Sequence, residues 1–113
     1  MLHMSRLPLR PTLVAVLQAL VAGARHGFDV ITATGLPSGT VYPALARLEH
    51  EGFVESRWED HKVAQKEKRP PRRYYEVTTA GEKILATAAA ALKERERAAR
   101  ARLRAFRPAR AKA

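Results

Sequence analysis

The sequence predicts a mainly α fold with a two-stranded β-hairpin, an α+β arrangement closed by one long helix. Three observations carry that prediction. Residues 12–50 hold three helix-compatible stretches punctuated by glycines at 23, 35 and 52. Two stretches of alternating polarity, "FVESRWED" and "RRYYEVT", flank a charged segment ending in two prolines. Beyond them, apolar residues recur at heptad spacing in an Ala- and Arg-rich run.

The first helix is expected over residues 12–22, where "TLVAVLQALVAG" is apolar almost all round and stops at a glycine. "HGFDVITATG" suits a second helix of two turns, with Phe28, Ile31 and Val30 as its apolar face. In "LPSGTVYPALARLEHEG", Pro37 stands near a helix start and Ser38 can cap free amides. Val41, Ala44, Leu45 and Leu48 fall at i, i+3, i+4 and i+7 and commit one face to a core. Pro43 comes early enough in the helix that its clash falls in the first turn.

Alternation then puts Val54, Ser56 and Trp58 on one side of a half-buried strand, and Glu55, Arg57 and Glu59 on the other. Residues 60–71, "DHKVAQKEKRPP", read as a loop. In the second strand Arg73, Tyr75 and Val77 share one side, and Arg72, Tyr74 and Glu76 the other. Two strands around this loop make a hairpin with a basic tip. Thr79-x-x-Glu82 is a helix-start signal, followed by Leu85, Ala89, Leu92, Ala99, Leu103 and Phe106 at heptad spacing interrupted by Glu96. That apolar seam is too long for one chain to cover, so it is expected to form a homodimer. "RPARAKA" should fray. The order α-α-α-β-β-α is that of a winged helix-turn-helix over residues 1–78, a dimerisation helix over 79–107 and a disordered basic tail over 108–113.

Composition narrows the function. A chain of 113 residues is one domain with an appended helix. With no cysteine, disulfides, thiolate metal sites and cysteine nucleophiles are excluded. The start "MLHMSRLPLRP" lacks the pattern of a secretory signal, and "LVAVLQALVAG" is too short to span a bilayer and broken by Gln18. The expectation is a cytoplasmic, nucleoid-associated protein with no membrane partner. A net charge of +10 points to a polyanion. Residues 61–76 carry six basic and two acidic groups and residues 77–113 ten and three, while residues 37–60 are net negative.

On the third helix, the face opposite Leu45 holds Gly39, Tyr42, Pro43, Ala46, Arg47 and His50. Small and flat groups let a helix lie against base edges in the major groove. Arg47 is the one long donor able to read a guanine, although pairing with Glu51 at i,i+4 is an equal alternative. Tyr42 and Thr40 can bond phosphates, with core-edge packing as the alternative for Tyr42, and Ser38 stands where helix amides favour an anion. In the hairpin, Lys62, Lys66, Lys68, Arg69, Arg72 and Arg73 can follow phosphates or enter the minor groove. Pro70 and Pro71 stiffen the return path. Tyr75 and Val77 anchor the strand, with Tyr74 at the DNA-side rim. A merely solvated hairpin tip is the alternative.

"HGFDV", "LPSGTVYPALARLEHEGFVE" and "PPRRYYEVTTAGEKIL" together resemble the PadR family of bacterial transcriptional regulators, over residues 26–85. The resemblance implies a homodimeric winged-helix repressor that binds an inverted-repeat operator in double-stranded DNA and is released by a small-molecule effector. By position, Gly39, Thr40, Val41, Tyr42 and Pro43 lie on its recognition helix and Arg72 and Arg73 on its wing strand. Two departures stand out: the second helix is clipped, and the C-terminal part is a single helix, as in the family's short form. Some short members bind flat aromatic drugs between tryptophans on that helix; here the one tryptophan, Trp58, is in the wing, so drug sensing does not transfer. Rival readings are a non-specific architectural DNA-binding protein, favoured by the basic C-terminal third, and a protein-only interaction module, which leaves the basic wing unexplained. An enzyme has little support: the histidines are scattered, no phosphate loop or carboxylate pair is present, and His61 with Asp60 is too sparse for a metal site. No cofactor is implied.

Overall fold

The computed structural model describes residues 9–109. Its elements run α1 (Pro11–Val21), α2 (Gly27–Thr34), α3 (Ser38–His50), β1 (Val54–Trp58), α4 (His61–Lys66), β2 (Arg73–Val77) and α5 (Thr79–Ala105). The fold is mainly helical, with one antiparallel hairpin and a long final helix. Residues 110–113 of the basic tail, and 1–8 at the start, lie outside the described residues.

The core is built where α1, α2 and α3 meet. Val16 and Leu17 of α1, Val30 of α2, and Val41, Leu45 and Leu48 of α3 are fully buried. Each such side chain contributes about 1.5–3 kcal/mol relative to exposure. The spacing read for α3 is the spacing found, with Val41, Ala44, Leu45 and Leu48 all buried. Pro37, not Ser38, is its N-cap, and the Pro37 carbonyl accepts from the amides of Thr40 and Val41. Ser38 is the first helical residue and provides no side-chain cap.

In α2 the buried stripe is Gly27, Val30 and, half-buried, Ile31, which fall at i, i+3 and i+4. Phe28 lies about 100° round the helix from Gly27 and is 70% exposed, so it is no part of the core. Glycine at 27 leaves room for the Tyr42 ring, which any side chain there would have to push aside. A Cβ there would lie 2.6 Å from the Tyr42 Cζ and 2.7 Å from its hydroxyl, because the tyrosine ring rests on this backbone.

Strands β1 and β2 pair in register from Val54 opposite Val77 to Trp58 opposite Arg73. Val54 is buried and Ser56 half-buried, but Trp58, expected on the same half-buried face, is 63% exposed. The hairpin has by then run past the core. The wing is also tied to the α1–α2 turn: the Tyr75 amide donates to the Arg25 carbonyl at 2.9 Å, and His26 bridges to Tyr74.

Between the strands, residues 60–71 are not a plain loop. Asp60 accepts from the Lys62 amide at 2.8 Å and starts α4, in which Ala64 alone is buried. Lys68 ends that turn in a left-handed conformation (φ 56°), allowing the Arg69 amide to return to the Ala64 carbonyl at 3.2 Å.

Helix α5 starts one residue earlier than its sequence signal. Thr78 is the cap and accepts from the Gly81 amide at 3.0 Å, while its hydroxyl donates to the Gly52 carbonyl at 2.7 Å. Gly81 sits directly against the Phe53 carbonyl, where no side chain fits. Only the first three turns pack on the body, through Gly81, Ile84, Leu85 and Ala88. The rest projects, which stretches the molecule to 76 × 33 × 20 Å.

Candidate nucleic-acid interface

Burying Val41, Ala44, Leu45 and Leu48 turns the opposite face of α3 outward: Ser38, Gly39, Tyr42, Pro43, Ala46, Arg47 and His50 are exposed, and Thr40 is half-buried. The face is low in relief, since Tyr42 lies down over Gly27. Arg47 pairs with Glu51 at 3.3 Å, both side chains largely in water. Such a pair contributes under about 1 kcal/mol, so it restrains Arg47 only weakly from another acceptor.

Tyr42 also lines a cleft of about 530 Å³ with residues of the wing and of the α2 start. Phe28, Trp58, Arg69, Pro70, Pro71, Arg72 and Arg73 also line it. The exposed face of α3 and the wing are therefore adjacent parts of one surface. Phe28, Trp58 and Gly27 were not legible as parts of it. A glycine directly after a histidine at a helix start was the only available signal, and it does not specify what rests on it.

The wing cations divide by partner. Lys62, Lys66, Lys68 and Arg72 are exposed and pair with no carboxylate among the described residues. Arg73 is turned back toward α3. Its Nε donates to the Ser56 hydroxyl at 2.9 Å, its Nη2 lies 3.4 Å from Glu49, and its guanidinium stands 5.3 Å from the Trp58 ring. Ser56 in turn donates to Glu49, so this network couples the third helix to the hairpin.

Arg69 is held by Glu59 through a two-pronged pair, Nη1 at 2.6 Å and Nη2 at 2.9 Å. The Tyr74 hydroxyl (3.0 Å) and the Arg72 amide (3.3 Å) donate to the same carboxylate. Arg69 chiefly, with help from Tyr74 and the Arg72 amide, draws the Glu59 pKa down from its ordinary 4.5 to about 2, against the opposing effect of desolvation. Tyr74 is half-buried, with the Arg25 and Arg57 guanidinium groups 4.8 and 5.4 Å from its ring centre. Tyr75 and Val77 pack against the core, and burial pushes the Tyr75 hydroxyl above its usual pKa.

Of the seam residues on α5, Leu85 is half-buried against the body. Ala89, Leu92, Ala99 and Leu103 are exposed, Leu103 to 74%; Phe106, 62% exposed, is the extended cap after Ala105 and so departs from the helical seam expected through 107. Among the described residues no group of His, Asp and Glu is arranged to hold a metal. No helix among them is long and apolar enough to cross a membrane.

Three short helices with a wing against the exposed face of the third define a winged-helix DNA-binding protein. Its family follows from sequence: residues 16–87 match the transcriptional regulator PadR-like family, and the chain belongs to it. DNA-binding transcriptional regulation, rather than catalysis, is the work of that family. Solved structures agree on the fold. A PadR-like transcription factor from Bacteroides fragilis is 25% identical, with 78% of this chain and 85% of that one covered and a TM-score of 0.67. A transcriptional regulator from Thermoplasma acidophilum is 26% identical over 85% and 93% of the two chains, with a TM-score of 0.63. BpsR of Bordetella bronchiseptica, whose DNA binding is regulated by 6-hydroxynicotinic acid, is similar in fold at 18% identity over 80% and 64% of the chains, with a TM-score of 0.64. No curated protein matches the sequence.

Proposed function

We propose that the chain is a homodimeric repressor that binds an inverted-repeat operator. The exposed face of α3, with Tyr42, Arg47, the Thr40 hydroxyl and the Ser38 and Gly39 amides, enters the major groove, and the wing cations follow the adjacent backbone. The observation that carries this reading is the shared cleft, in which Tyr42 of α3 and Arg72 of the wing line one surface. Pairing through the exposed seam of α5 would double that surface with two-fold symmetry, matching half-sites one helical turn or a multiple of it apart. A small-molecule effector, as for BpsR, would set occupancy, and the protein would act in the cytoplasm at the nucleoid.

The test is binding of the full chain to a labelled duplex from its own upstream region, in competition with random DNA at moderate salt. A preference of about 10³-fold or more is expected of a specific regulator. Equal competition by random DNA would instead favour the architectural reading, to which the single long donor on the α3 face lends support.

A further inference from the structure

We propose that Glu59 is the positioning residue of the wing and that Arg69 serves it instead of touching phosphate, leaving Lys62, Lys66, Lys68 and Arg72 as the cations delivered to DNA. This assignment rests on the DNA-binding reading above.

Both ends of the segment that turns the hairpin converge on one carboxylate. Glu59 follows β1 directly, and its amide donates to the Arg72 carbonyl at 2.8 Å. Its side chain, only 7% exposed, receives Arg69, Tyr74 and the Arg72 amide. Arg69 lies at the far end of α4, fixed to it by its own amide. The pair thus bolts α4 to the strands, a segment that otherwise buries Ala64 alone. A guanidinium with both prongs on a carboxylate has few donors left for a phosphate.

The reading makes predictions opposite in sign to those of simple charge. Glu59→Gln removes a negative charge beside the DNA-facing surface, which by electrostatics alone should tighten binding. Loss of wing orientation should instead weaken it about tenfold and make the dependence of log K on log salt shallower by about 1 to 2, as phosphate contacts are lost. Arg69→Lys keeps the charge but not the planar fork, and should weaken binding in the same direction. If Arg69 touches phosphate as a point charge, the lysine variant binds like the parent.

The experiment is a salt series of anisotropy titrations with the full chain, with circular dichroism and melting of each variant as the check on folding. Arg72→Gln serves as the direct-contact comparison, expected to lower the slope by about 0.9. Binding by the parent together with undiminished binding by folded Glu59→Gln or folded Arg69→Lys overturns the assignment. Should Glu59→Gln not fold, Arg69→Lys decides alone. No binding by the parent overturns the regulator reading itself and takes this assignment with it.

Discussion

The two ends of the molecule use leucine in opposite ways. In the body, Leu17, Leu45 and Leu48 are sealed inside a core made within one chain. On the outer half of α5, Leu92, Ala99 and Leu103 recur at the heptad spacing and face water. The difference lies in what surrounds the pattern, since a lone helix projecting from a domain has no neighbour to bury its stripe. A periodic apolar face therefore specifies burial without saying which chain provides the cover.

The comparison can be broken by making one change in both places. Leu45→Ala should cost about 2–5 kcal/mol in a urea melt, at any protein concentration. Gly27→Ala tests the join between α2 and α3: the new methyl group must displace the Tyr42 ring, costing about 1–3 kcal/mol and weakening DNA binding with it. In protein diluted below any self-association, Leu103→Ala should move stability by less than about 0.5 kcal/mol. Under the proposed pairing, at high concentration the same variant should dissociate sooner in sedimentation, and parent and variant should melt differently; equal behaviour at all concentrations would overturn pairing through the seam.

The wing gives a finer contrast through pH. Since the Glu59 pKa is about 2 when folded and 4.5 ordinarily, the unfolded chain binds more protons between those values. The stability supplied by this carboxylate is complete above pH 4.5 and drains as pH falls toward 2. Urea midpoints of the parent and Glu59→Gln should accordingly converge over that interval. The smallest effect belongs to Arg47→Ala, which breaks only an exposed pair: stability should stay within about 0.5 kcal/mol while preference for the operator declines.

What could be read beforehand was what depends on neighbours along the chain. The α3 stripe, the hairpin strands and the long final helix each announce themselves by period. Phe28 and Trp58 did not, because an aromatic at a plausible register is buried only if another element packs directly on it, and both instead border the open cleft between α2 and the wing. Helix α4 has six residues, too few for a period, though Asp60 was available as a cap. The threonines at 78 and 79 illustrate a near miss. Glu82 favours Thr79 as the cap, but β2 ends at Val77 and the Thr78 hydroxyl is held by Gly52. The pairing of Glu59 with Arg69 joins positions ten apart through a turn whose geometry the sequence did not disclose. Nothing in the spacing sets Arg69 apart from the other cations of the hairpin.

Trp58 has one more consequence. It is the sole indole in the chain, and it stands in solvent with the Arg73 guanidinium over it, at the rim of the cleft shared by helix and wing. The molecule thus carries a built-in optical reporter at the place where a bound duplex would change its surroundings. Its emission can follow docking of the wing in unlabelled protein, separately from any pairing along the distant end of α5.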